Sequence, residues 1–239
     1  MRPAAILWDY DGTLVDSAVK NRVVTIGLLR RFDASIEEHL PPALQSVLNY
    51  RDAILRWNDW REEFRRELGL DDARIDEVAR NWSAAQLADP LQPPLFCGLR
   101  DVLPQLAAIA PMAICSQNGS GHIRATLRRY GVEDCFGAVI GRDEVPMNEQ
   151  KPHPNGFLQA LAQLGLRGDE GLLVYIGDHS MDVKFAHAAV QALQQRGISA
   201  KVLTVTTRFG HHACLNGLTG GDVCAVEPED LLTLFGKEE

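Results

Sequence analysis

The chain has 239 residues, 46% of them hydrophobic, and a formal net charge of −8. That length suits one α/β domain, or a core domain with a modest insert. The acidic balance excludes a general nucleic-acid or anionic-membrane surface. No apolar run approaches the roughly 18 residues of a membrane span.

In chain order, the first apolar run, Ala4-Ala5-Ile6-Leu7, reads as a buried strand. It leads into Trp8-Asp9-Tyr10-Asp11-Gly12-Thr13-Leu14-Val15-Asp16-Ser17. Strand side chains alternate with period two, so Asp9 and Asp11 are expected to point the same way. Like charges held this close are costly unless a cation sits between them or one stays protonated. Residues 18 to about 90 read as helical. Val23, Val24, Ile26, Leu28 and Leu29 give one apolar face, and Leu44, Val47 and Leu48 another. Arg51 to Leu68 is dense in charge, with Leu55, Trp57, Trp60 and Phe64 interleaved. A breaker cluster, Asp89-Pro90-Leu91-Gln92-Pro93-Pro94, ends this block.

Strands and helices then alternate. Expected strands are Pro111 to Cys115, Ala138 to Ile140, Leu172 to Ile176, Lys201 to Val205 and a short Val223 to Val226. Expected helices are Leu99 to Ala108, His122 to Tyr130, Pro154 to Leu164 and Asp182 to Arg196. This alternation implies an α/β fold, a Rossmann-like parallel sheet with helices on both faces. Ligands of such sheets bind beyond the carboxyl ends of the strands. The five cysteines, Cys97, Cys115, Cys135, Cys214 and Cys224, are scattered and form no Cys-x-x-Cys pair. They read as buried free thiols in a reducing cytoplasm rather than as a disulfide or zinc framework. Met1-Arg2-Pro3 runs straight into a strand, so no signal peptide is expected.

Four segments at strand ends bear the chemistry. The first is Asp9 to Ser17. The second, Ser116-Gln117-Asn118-Gly119, follows an apolar strand and opens a helix, which suits an anion. The third, Lys151-Pro152-His153-Pro154, holds one of only five lysines, the others being Lys20, Lys184, Lys201 and Lys237. The fourth is Gly177-Asp178-His179-Ser180-Met181-Asp182, whose second aspartate lies one helical turn after the first. In this order they resemble the four motifs of the haloacid dehalogenase-like hydrolase superfamily, most of whose members are phosphatases.

The resemblance covers essentially the whole core. It implies a core of residues 1–17 and 95–239 and an inserted α-helical cap domain, residues 18–94, that closes over the active site. It makes Asp9 the nucleophile and Asp11 the general acid/base. Ser116 would hydrogen-bond a phosphoryl oxygen, and Lys151 would neutralise the aspartates and the phosphate. Gly12, Thr13, Gln117 and Asn118 would line the phosphoryl cradle, with backbone N–H groups near Gly12 and Asn118 completing it. Asp9, Asp11 (through its carbonyl), Asp178 and Asp182 would offer oxygens to a hard cation, best matched by Mg²⁺. The implied activity is that of a cytoplasmic, phosphoglycolate phosphatase-like enzyme, monomer or homodimer, acting on a small phosphorylated metabolite without nucleic-acid or membrane partners.

The sequence departs from the pattern at Trp8 and Tyr10, where the family most often has phenylalanine, and in a longer helix after the fourth motif. A phosphosugar mutase is disfavoured because His39 is the only histidine, and Lys20 the only lysine, of the helical insert. A non-catalytic binding or regulatory member is disfavoured by the presence of Asp9, Asp11, Lys151 and Asp178. Arg51, Arg56, Arg61, Arg65 and Arg66 alternate with acidic residues and read first as a solvated helix face, the alternative being a contact to a substrate carboxylate or sugar. His179, His211 and His212 read as polar loop residues.

Overall fold

The computed structural model describes residues 2–57, 60–209 and 221–236, apart from the side chain of Leu55. Asp59, His211, His212, Cys214 and Lys237 lie outside the described residues. Strand β1 (Ala5–Trp8) is followed by helices α1 (Ala18–Leu29), α2 (Val47–Arg56), α3 (Trp60–Glu67) and α4 (Asp72–Ala88). Then come α5 (Leu99–Ile109), β2 (Met112–Cys115), α6 (Ser120–Tyr130), β3 (Ala138–Ile140), α7 (Asn155–Gln163) and β4 (Leu172–Gly177). The described chain ends with α8 (Ser180–Gln195), β5 (Lys201–Thr207), β6 (Val223–Ala225) and α9 (Glu229–Phe235). The short α9, which packs Leu231 and Phe235 inward, has no counterpart among the expected elements. The chain falls into two compact units, residues 1–16 with 94–239, and residues 17–93.

The first unit is built on one parallel sheet of order β3-β2-β1-β4-β5-β6. All four residues of β1 have no exposed surface, because both faces of the sheet are covered. Ile6, Trp8, Ile114, Val174 and Ile176 face Leu99, Leu103, Leu106, Ile123 and Leu127 on α5 and α6. Ala5, Leu7, Ala113, Leu173 and Tyr175 face Phe157, Phe185, Ala186 and Ala189 on α7 and α8. Alternation along each strand thus feeds two separate cores. The strand order reverses between β1 and β4, which sit in register with Leu7 beside Tyr175. That reversal opens a crevice at the carboxyl ends of these two strands. Asp9 and Asp178 directly follow these strands.

The second unit is helical, and no strand forms among its described residues. Its core comprises Val24, Leu28, Leu29, Leu44, Tyr50, Phe64, Ile75 and Val78. Ser46 caps α2 by accepting from Asn49 N, and Asp71 caps α4 by accepting from Arg74 N. Lys20 is buried on α1 and donates to the carbonyls of Asp89 (3.1 Å) and Leu91 (2.6 Å), tying the segment after α4 to the first helix. Arg56 pairs with Glu67, Arg61 with Asp76, Arg65 with Glu62 and Asp72, and Arg66 with Glu62. These arginines form a surface network of modest energetic value.

One sequence expectation needs correcting. Cys115 is buried, but Cys97 and Cys224 are exposed and Cys135 is half-buried. Cys97 and Cys224 lie where the chain enters α5 and in the edge strand β6, where less packing covers them.

Glu63 on α3 is an acidic residue inside the helical unit, and burial pushes its carboxyl up to about 8, with Glu67 adding to the shift. The unfolded chain releases this proton near the ordinary value of 4.5. Between these limits the folded state binds more protons, so stability is lost as pH rises through the window. Glu63→Gln is expected to raise the unfolding temperature at pH 9 by more than about 2 °C and to flatten its pH dependence. Superimposable profiles of wild type and variant contradict the burial.

Candidate active site

Every group of the site belongs to the sheet-bearing unit. Asp9 N donates to Ile176 O (2.8 Å), so the chain follows β4 for one residue beyond β1 before turning. The turn closes through Gly12 N to Val15 O (2.9 Å) and Leu14 N to Tyr10 O (2.9 Å). Gly12 holds φ +79°, and a Cβ there would lie 2.1 Å from Asp178 Oδ2. Only glycine meets both demands. Thr13 Oγ1 donates to Asp178 Oδ1 (3.3 Å), fixing the β4 aspartate against this turn.

Asp182 comes from the first turn of α8. Its Oδ2 accepts from His179 N (3.1 Å), while His179 Nδ1 accepts from Met181 N (3.2 Å). This reciprocal cap starts the helix at Ser180, two residues before the expected start, with histidine in a place usually held by Ser, Thr, Asn or Asp. Lys151 Nζ donates to Asp9 Oδ1 (2.6 Å) and to Asp182 Oδ1 (2.8 Å). The ammonium also lies 5.2 Å from the ring of Tyr175 and 5.3 Å from that of Phe185. Tyr175 Oη donates to Cys115 O (3.1 Å).

The electrostatics follow from this packing. Burial alone would depress the Lys151 ammonium, but Asp182 and Asp9 outweigh it and hold Lys151 above the usual lysine range. Burial pushes Asp9 well up, Lys151 opposes it, and the carboxylates of Asp182 and Asp178 push further up. Oxygens of Asp9, Asp178 and Asp182 lie within 4.8 Å of one another. Three carboxylates therefore cluster about a single ammonium, a charge excess that a divalent cation would offset. A hard, all-oxygen set suits Mg²⁺.

The Asp11 carboxylate is not part of that group. It accepts from Asn118 Nδ2 at 3.4 and 3.2 Å. β1 ends at Trp8, so Asp11 lies in the turn beyond it, where strand alternation does not set its direction. Ser116 Oγ accepts from Asn118 N (3.0 Å), leaving its own O–H free to donate. Asn118 Oδ1 accepts from Gly119 N (2.9 Å), so this amide braces the turn and Asp11 together. Gln117 Nε2 donates to Lys151 O (3.3 Å), linking the second and third segments.

Several of the N–H groups near Gly12 and Asn118 are engaged within their own turns. Gly12 N is spent on Val15 O, Thr13 N on Tyr10 O and Asn118 N on Ser116 Oγ. The turns close on themselves. Gln117 N has no acceptor among the described residues and is the main-chain donor left at the Ser116 turn.

Two contributors carried no sequence signal. Tyr175 reads as an ordinary strand residue, yet it braces Cys115 and flanks Lys151. Glu144 is in no sequence motif, yet it accepts from both Ser120 Oγ and Gly141 N.

Comparison with known proteins matches residues 3–190 to the family model for haloacid dehalogenase-like hydrolases. The chain is 31% identical over 195 residues to a phosphoglycolate phosphatase of Pectobacterium atrosepticum, covering 77% of this chain and 76% of that one. It is 29% identical over 242 residues to a phosphoglycolate phosphatase of Photorhabdus laumondii, covering 97% and 92%. Among solved structures, CbbY from Rhodobacter sphaeroides in complex with phosphate superposes with a TM-score of 0.65 at 17% identity, covering 99% of this chain and 100% of that one.

The Gly12–Asp178 contact is testable without any ligand. Gly12→Ala is expected to cost more than the roughly 1–2 kcal/mol of left-handed strain, because the new methyl meets the Asp178 carboxylate. In an Asp178→Ala background the cost of Gly12→Ala should shrink, as denaturant unfolding of the four proteins would read. Equal costs in both backgrounds contradict the contact.

Proposed function

The chain belongs to the haloacid dehalogenase-like hydrolases, and from that premise we propose that it is a Mg²⁺-dependent phosphatase of the phosphoglycolate phosphatase type, acting on a small phosphomonoester through an aspartyl-phosphate on Asp9. The observation that carries this reading is the position of Lys151 Nζ, within hydrogen-bond distance of both Asp9 and Asp182 at the mouth of the β1–β4 crevice.

In the proposed reaction Asp9 attacks phosphorus in line with the departing alcohol oxygen. Lys151 favours the ionised form of Asp9 against the opposing effect of burial, fixes its orientation, and offers positive charge to the phosphoryl oxygens. Ser116 O–H and Gln117 N–H donate to those oxygens. Asp11, steadied by the Asn118 amide, protonates the leaving alkoxide. The same carboxylate then takes a proton from the water that hydrolyses the acyl phosphate. Mg²⁺, held by Asp9, Asp178 and the Asp11 carbonyl with Asp182 nearby, would offset charge between the carboxylate and the phosphate. Asp182, whose oxygens already meet Lys151 and His179 N, serves mainly to hold Lys151 in place. Residues 18–94 are proposed as the cap domain of the family, carrying substrate selection.

Supporting context comes from chemistry elsewhere in the chain. No helix among the described residues is long and apolar enough to cross a membrane. Cys97, Cys115, Cys135 and Cys224 are free thiols, which suits a reducing, cytoplasmic setting.

Phosphate release from a panel of phosphomonoesters, measured with Mg²⁺ and with EDTA, tests the reading. Release is expected to need the metal and to fall at least about a thousand-fold in Asp9→Asn, as removal of a covalent nucleophile generally does. Metal-independent release, or wild-type turnover by Asp9→Asn, would overturn it.

A further inference from the structure

Beside the phosphoryl site stands a cation that nothing above uses. Arg142 lies on the loop after β3. That loop is fastened to the Ser116–Ser120 turn by Arg142 N to Asn118 O (2.9 Å) and by Glu144, which bonds Ser120 and Gly141. Gly141 packs so closely that a Cβ would meet Asn118 O at 2.6 Å. Gln150 Nε2 adds a bond to Arg142 O (3.3 Å). The backbone of Arg142 is therefore held in fixed register with Ser116.

Arg142, Ser116 and Lys151 line one small, solvent-open pocket. The guanidinium is half-buried, and no described residue hydrogen-bonds it or lies within ion-pair distance of it. The neighbouring Asp143 carboxylate acts on it, and burial lowers it from the ordinary arginine value. Glu149 also lines the cavity, but its carboxylate accepts from Asn155 Nδ2 (2.5 Å). The chain has 32 acidic residues against 24 lysines and arginines, so carboxylates are not scarce. Arg30, Arg56, Arg61, Arg65, Arg66 and Arg128 each have one in ion-pair contact. Leaving a partly desolvated cation without a partner costs stability, which a function at that spot would explain.

We propose that Arg142 is a specificity-determining residue of the phosphoryl site, whose guanidinium receives a carboxylate carried by the alcohol part of the phosphomonoester. The inference rests on the phosphatase reading and deepens it. The phosphoryl group is already served by Lys151, Ser116 and Gln117 N. A planar guanidinium matches a carboxylate through two parallel N–H donors, which a lysine does not do. A phosphate ester of a hydroxy acid presents both anions at once.

The test uses two non-hydrolysable probes, methylphosphonate and 3-phosphonopropionate, titrated calorimetrically into the full chain with Mg²⁺. They share the phosphonate, and only the second carries a carboxylate. Wild type is expected to bind phosphonopropionate at least about tenfold more tightly, in line with a charge-assisted bidentate contact. R142M should bring the two affinities together, and R142K should keep part of the difference. Thermal unfolding of the ligand-free variants establishes that they fold. Equal or absent binding of the probes by wild type, an undiminished preference in R142M, or an equal loss of both probes in R142M would each overturn the inference. The comparison involves no turnover. Failure of phosphate release therefore bears on the proposed reaction, and failure of probe discrimination bears on Arg142.

Discussion

One ammonium governs the architecture of the site. Lys151 Nζ meets Asp9 and Asp182 within 2.6 and 2.8 Å in a nearly dry environment. A buried charge is tolerable only when paired and hydrogen-bonded. Removing the lysine would leave two carboxylates facing each other, and removing either aspartate would leave the lysine poorly compensated. The residues that meet here come from the position just after β1, from the loop before α7 and from the first turn of α8. The site thus exists only when the central strands are paired and α8 is seated against β4.

Much of the remaining structure keeps that meeting point in place. Tyr175 and Phe185 put aromatic faces beside the ammonium. Gln117 anchors the backbone of Lys151, and His179 orients Asp182 through the helix cap. Gly12 brings the first turn against Asp178. These contacts restrict rotamers more than they add stability, and a reaction between two anions depends on such restriction. The same logic sets Arg142 apart. Its backbone is as firmly tied as that of Lys151, while its guanidinium has no hydrogen-bond or ion-pair partner among the described residues.

The sequence made the sheet legible because its central strands are short apolar runs ended by polar turns, and that pattern has few other solutions. Asp9, Lys151, Asp178 and Asp182 were legible from their order and their places at strand ends. The Asn118 contact of Asp11 was not, because Asp11 lies in the turn beyond β1, where strand alternation does not apply. The early start of α8 was hidden by a histidine cap, which lies outside the usual capping set. The seven-residue α9 is too short for helical periodicity to register. The bracing by Tyr175 and Glu144, and the isolation of Arg142, are facts of three-dimensional neighbourhood. No local pattern encodes them.

The central claim is that Asp9 becomes covalently phosphorylated. Its most direct test is rapid acid quenching of the wild-type chain during turnover of a phosphomonoester labelled in its phosphoryl group, followed by peptide mapping. The account predicts a hydroxylamine-labile label on the peptide that contains Asp9, formed and lost at rates able to support turnover. Full-rate phosphate release with no label on the protein, or with the label on another residue, would contradict it.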